Sequence, residues 1–281
     1  MQKALRRYAL LFLLPTFLAF TAVFLVPFFM GVYLSFTEFT TVSNATFVGF
    51  ENYRKAFMEN ADFRNALWFT VRFAAVAVVT VNLSAFLLAL ALTRSIRGTN
   101  LLRTVFFMPN LIGGIVLGYI WKLMINGILL QFGVDITFSA SYGFWGLVAL
   151  TNWQLIGYMM IIYIAGIQNI PASLLEAASI DGAGAWHTLR AVKIPMLMPC
   201  ITITTFLTLT NAFKLFDQNL SLTAGAPGRQ SAMLALDIYN TFYGRVGYEG
   251  VGQAKAVVFF LLVSLISLIQ LWLTRRGEAD R

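Results

Sequence analysis

Residues 72–94 read RFAAVAVVTVNLSAFLLALALTR, 21 uncharged positions closed at each end by an arginine. A helix needs about 20 mainly apolar residues to cross the hydrocarbon core of a bilayer. Working outward, the same reading finds five more uncharged runs. They are 8–37 (30 positions), 104–121 (18), 136–175 (40, with its apolar part near 144–167), 194–213 (20) and 256–274 (19). The expected fold is therefore all-α, a single domain over 1–281 with six transmembrane helices. The spans are placed at 9–36, 73–93, 104–121, 144–167, 194–213 and 256–274, with 168–193 as a loop between the fourth and fifth.

Composition agrees. Of the 281 residues 59% are hydrophobic and 11% charged, with a mean hydropathy of +0.75. A soluble chain carries about 25% charged residues, so a cytosolic enzyme or a secreted domain is excluded. One cysteine, Cys200, permits no internal disulfide and no cysteine cluster, and one histidine, His187, excludes a multi-histidine metal site. No metal, cofactor or catalytic residue is expected. The first run resembles a signal peptide in having Lys3, Arg6 and Arg7 before it. Its length exceeds the usual 7–15-residue apolar core, so it reads as a retained helix.

The net charge of +8 belongs to loops rather than to nucleic acid. With the N-terminus inside, the inner segments hold eleven basic and four acidic residues, net +7. The outer ones hold nine and eight, net +1. The Thr93–Arg103 connection has three arginines and no acid. The positive-inside rule then puts both termini in the cytoplasm. The outer stretch Glu38–Arg72, rich in aromatics, reads as an ordered cap or a short amphipathic helix.

The inner segment Gln168–Pro199 carries a mechanism. Ser173 followed by Glu176 forms a capping box that opens a short helix. Ala177 and Ala178 give that helix a thin face, and Gly182 and Gly184 end it. A second short helix runs to about Ile194, where Pro195 stops it or opens the next span. Glu176-Ala177-Ala178, then Asp181-Gly182-Ala183, then a Pro195–Pro199 exit resembles the EAA loop of permease subunits in binding-protein-dependent ABC importers. Phe47-Val48-Gly49-Phe50-Glu51-Asn52-Tyr53 and Leu222-Thr223-Ala224-Gly225-Ala226-Pro227-Gly228 are similar to loops of the carbohydrate-uptake class. Departures are Ala226 for a glycine, Leu175 for an aromatic residue and Leu189 for a phenylalanine.

The resemblance implies a division of labour. Glu176, Ala177, Ala178, Asp181, Gly182 and Ala183 would couple this chain to a separate ATPase, present in two copies. A second homologous permease and an extracellular solute-binding protein would complete the assembly in a prokaryotic plasma membrane. None of the six lysines is followed by Ser or Thr, so the chain has no phosphate-cradling G-x-x-x-x-G-K-[ST] of its own. Polar side chains inside spans usually face the bundle interior. Asn152, Gln154 and Tyr158 on span four, with Thr208 and Asn211 on span five, are the expected solute path. Tyr158 and Asn211 are placed near mid-depth.

With no cation in the centre of any span, a neutral sugar suits the path. Another polar solute such as glycerol phosphate is the alternative, through loop cations such as Lys214 or Arg229. An ion-coupled secondary transporter would show intramembrane acids and an inverted repeat, and neither is evident.

Overall fold

The structure is a computed structural model that describes residues 13–59, 61–94 and 97–279. It is 80% helical. Five helices are long and apolar enough to span a bilayer: α1 (Leu13–Leu34), α2 (Ala61–Leu92), α4 (Gly114–Leu129, continued to Phe132), α5 (Ala140–Gln168) and α11 (Glu249–Ala279, apolar to Trp272). The pair α7 (Ala185–Met196) and α8 (Met198–Phe213), bent by 69° at Leu197, makes a sixth if the two cross as one broken span. Between them lie α3 (Thr99–Phe107), α6 (Ala172–Ile180), α9 (Asp217–Leu222) and α10 (Leu234–Gly244). Residues 9–12 of the first expected span, and the basic residues Lys3, Arg6 and Arg7, lie outside the described residues.

The third run is not one helix. Pro109 sits in a 3-10 turn, Met108–Leu111, that separates α3 from α4, and Gly113–Gly114 opens the new helix. Proline lacks the amide needed to continue a ladder. The apolar helix therefore starts ten residues later than 104–121 and carries Lys122 inside it. Lys255 likewise lies inside α11, fully buried. The expectation of span centres without a cation fails at Lys122, near the middle of α4.

The described residues form two compact units, Met1–Phe63 with Ile238–Leu261 and Arg64–Asp237 with Leu262–Arg281. In the first, Thr37–Glu38 and Thr46–Phe47 pair antiparallel, and the stretch expected as a cap or short helix continues into helical turns at Glu51–Arg54 and Lys55–Glu59. Asn52 explains its motif. Its buried amide donates to the carbonyls of Ser35 (3.0 Å) and Thr37 (2.8 Å), while Tyr53 shares a 2.6 Å hydrogen bond with Ser35. Lys255 donates to Thr241 Oγ1 at 2.8 Å and lies 5.1 Å from the Phe63 ring centroid.

In the second unit the core is a seam between α2 and α5. Val81, Ala85 and Ala89 recur every four residues on one face of α2 and pack against Leu155, Met159 and Tyr163. Small residues set the helix spacing, as expected where helices in lipid associate through close packing. A Cβ on Gly157 of α5 would overlap the backbone carbonyl of Phe106 on α3. Gly114 and Gly118, four apart on α4, leave room for Asp217 and Ser221 of α9.

Candidate functional site

Helix α6 stands between α5 and α7, outside every apolar run. Its N-cap is Pro171, without a side-chain cap, and Ser173 is already inside the helix. The capping box is thus absent. Pro171 fixes an extended entry (φ −56°, ψ 130°) and the helix begins two residues too early for Ser173 to serve. Glu176 is exposed, and among the described residues it makes no hydrogen bond or ion pair.

The C-terminal end follows the sequence reading. Gly182 adopts φ +72°, the left-handed region that costs other residues about 1–2 kcal/mol. Its N–H reaches the carbonyl of Ser179 (3.1 Å), and that of Ala183 reaches Ala178 (2.9 Å). This pair of bonds is the Schellman motif. Gly184 does not end α6. It is extended (φ −66°, ψ 165°) and caps α7 instead. Beyond it a π-helical turn, Leu189–Lys193, leads into Ile194–Met196, so α7 runs past Pro195 to Met196.

The hairpin brings the expected coupling residues together. Ala177, Ala178, Asp181, Gly182 and Ala183 border a single cavity of about 590 Å³, with His187 and Val192 across it. Ile180 is 86% exposed and Trp186 72%.

The expected path residues do not form one group. Asn152 donates to Thr80 Oγ1 on α2 (2.9 Å) and to the Val148 carbonyl. Thr208 is buried, donates to the Thr204 carbonyl and accepts from Asn82 at 3.3 Å. Tyr163 completes that network: it donates to Asn82 Oδ1 (3.1 Å) and accepts from Thr204 (2.8 Å), tying α2, α5 and α8. Gln154 accepts from Gln218 of α9 at 2.8 Å. Tyr158 is half-buried against the core, and Asn211 is exposed, its amide bonded to the Leu207 carbonyl. Asn211 lies two residues from the C-terminal end of α8, as it does from the end of the run 194–213, and so is not at mid-helix.

Sequence reasoning missed Thr80 and Tyr163. The signal was there for Tyr163, four residues after Met159 on the α5 core face. Thr151 precedes Gln154 and Tyr158 by three and seven residues on α5, and its hydroxyl is buried with no partner among the described residues.

Residues 89–278 match the family described as binding-protein-dependent transport system inner membrane component. The chain is 44% identical over 279 residues to the probable starch degradation products transport system permease protein AmyD of Thermoanaerobacterium thermosulfurigenes, covering 96% of this chain and 94% of that one. It is 30% identical to the multiple sugar-binding transport system permease protein MsmF of Streptococcus mutans, covering 99% of each. A crystal structure of a bacterial ABC transporter involved in the import of the acidic polysaccharide alginate contains a chain of the same fold. It has a TM-score of 0.82, 20% identity and 98% coverage of both chains. A second structure of a bacterial alginate ABC transporter, in complex with a periplasmic protein bound to an alginate pentasaccharide, matches with a TM-score of 0.81 at 20% identity. It covers 99% of this chain and 98% of that one.

Proposed function

We propose, given that the chain belongs to the family of binding-protein-dependent transport system inner membrane components, that it lines the path of an ATP-driven importer of a sugar, a mono- or oligosaccharide. A soluble binding protein delivers the sugar, and a second homologous permease forms the other half of the path. Two copies of a separate ATPase drive the cycle. Both termini are cytoplasmic. The names of AmyD and MsmF, permeases for starch degradation products and multiple sugars, support the solute class.

The observation that carries the reading is the hairpin of α6 and α7. It is closed by its Gly182 cap and presents Glu176, Asp181 and the exposed Ile180, with no partner for Glu176 among the described residues. A helix docked in a groove of the ATPase would transmit closure of the nucleotide sites to α5 on one side and α8 on the other. Asn152, Gln154, Tyr158, Thr208 and Asn211 are assigned to the path and its support. Tyr158 and Asn211 meet the sugar, since a ring face and an amide that both donates and accepts suit hydroxyls. Asn152, Gln154 and Thr208 hold the helices that present them.

Cysteine cross-linking tests the coupling. In a Cys200→Ser background, Ile180→Cys in the assembled transporter should cross-link to the ATPase chain. Uptake that remains ATP-dependent while Ile180→Cys never reaches the ATPase would overturn the assignment.

A further inference from the structure

A second cavity, of about 570 Å³, lies beside the hairpin and is used by nothing described above. Its wall is mostly apolar, with Leu90 of α2, Ile167 of α5 and Leu189 and Trp186 of α7. Its charged members are two cations, Arg94 and Lys193, and no acidic side chain lines it. Among the described residues neither cation has a side-chain hydrogen bond or an ion pair, although Lys193 is half-buried. A half-buried ammonium without a counter-ion is unfavourable, and an anion placed there relieves it.

The depth of the cavity is set by the sequence. Arg94 closes the uncharged run 73–93 and Lys193 opens the run 194–213. Arg94 stands two residues past the end of α2 and Lys193 four residues before the bend at Leu197, and both are taken to lie at the headgroup level. The carbonyl end of α2 does not oppose an anion, because Arg103 already donates to the Leu92 carbonyl at 2.7 Å. The Nε of Arg103 is buried with no partner among the described residues.

We infer that this cavity holds one anionic phospholipid, its phosphate between Arg94 and Lys193 and an acyl chain along Leu90 and Ile167. Basic pockets between membrane helices at the headgroup level take such lipids. The pairing of cations with an apolar wall distinguishes a lipid from a free phosphate ion, which has no use for the wall. The inference rests on the membrane placement and not on the coupling role of the hairpin.

Native mass spectrometry of the chain purified with its copurifying subunits tests it. Dioleoyl-phosphatidylglycerol and dioleoyl-phosphatidylcholine are supplied in equal amounts. The wild type should retain phosphatidylglycerol in preference. A basic residue at a membrane surface is worth about fivefold in affinity for an anionic lipid. Arg94→Gln and Lys193→Gln should each lower retention by about that factor, Arg94→Lys should keep it, and Arg97→Gln, outside the cavity, should change it little. An equal loss in Arg97→Gln would mean diffuse surface charge and overturn the site. So would displacement of the lipid by inorganic phosphate, which would make this an anion site. Unchanged lipid retention in Arg94→Gln/Lys193→Gln, with loss of a copurifying subunit, would make the cavity a protein contact and also overturn it.

Discussion

The backbone N–H of Ala183 donates to the carbonyl oxygen of Ala178 at 2.9 Å, across the left-handed Gly182 that ends α6. The bond closes the hairpin without any side chain, so the exposed face of α6 is free for a partner. A Cβ at Gly182 meets nothing within 4 Å, and a substitution there acts through backbone strain and through whatever docks on the surface. Gly182→Val should destabilise the turn by about 1–2 kcal/mol and reduce the ATPase recovered with the chain. Gly182→Asn, whose side chain tolerates the left-handed region, should retain more of it. Copurification of the two variants at equal membrane insertion measures the difference. Full ATPase recovery with the valine variant would contradict the coupling role.

The expected path residues divide by their partners. Asn152→Leu removes the bond to Thr80, and Thr208→Val the one to Asn82. Both should lower the thermal stability of the complex, by about 0.5–1.5 kcal/mol each. Asn211→Ala and Tyr158→Ala should leave assembly intact and weaken sugar uptake severalfold. Unfolding curves and transport rates of the four variants, taken together, decide between glue and path. Loss of assembly in the Asn211 variant would move that residue into the supporting group.

Close packing around Gly157 gives a stability prediction independent of transport. A methyl group there would press on the Phe106 backbone carbonyl, which cannot swing aside as a side chain can. Overpacking of a tight core costs about 1–3 kcal/mol, and Gly157→Ala should reach the upper end or fail to fold. Gly127→Ala in α4 is the matched control, since nothing lies within 4 Å of its added carbon. Wild-type yield and melting temperature in the Gly157 variant would show that α3 and α5 approach less closely.

Orientation follows from loop charge and is directly measurable. Asn100 and Gln230 are both exposed, and a cysteine placed at each, in the Cys200→Ser background, reports its side of the membrane. A membrane-impermeant maleimide applied to intact cells should label Gln230→Cys and leave Asn100→Cys unlabelled until the cells are opened. The opposite pattern would invert the topology and place α6 outside, away from ATP.

The amino-acid sequence by itself determined that the chain is an all-helical membrane protein, because uncharged runs of about 20 residues have one stable solution in a bilayer. It also determined the turn at Gly182, where a local backbone conformation demands a residue without a Cβ. What it left open was any boundary decided by neighbours. Lys122 looked like the end of a span, yet it lies inside α4, since Pro109 and Gly113 moved the helix start and the packing of α9 on Gly114 and Gly118 fixed its position. Ser173 looked like a cap until the fold began α6 at Ala172. The polar residues of spans four and five carried no sign of their roles in their spacing. Asn152 and Thr208 were assigned to helix–helix contacts by Thr80 and Asn82, more than 70 residues away. Hydrogen-bond partners at such separations are chosen by tertiary packing, and no local pattern encodes them.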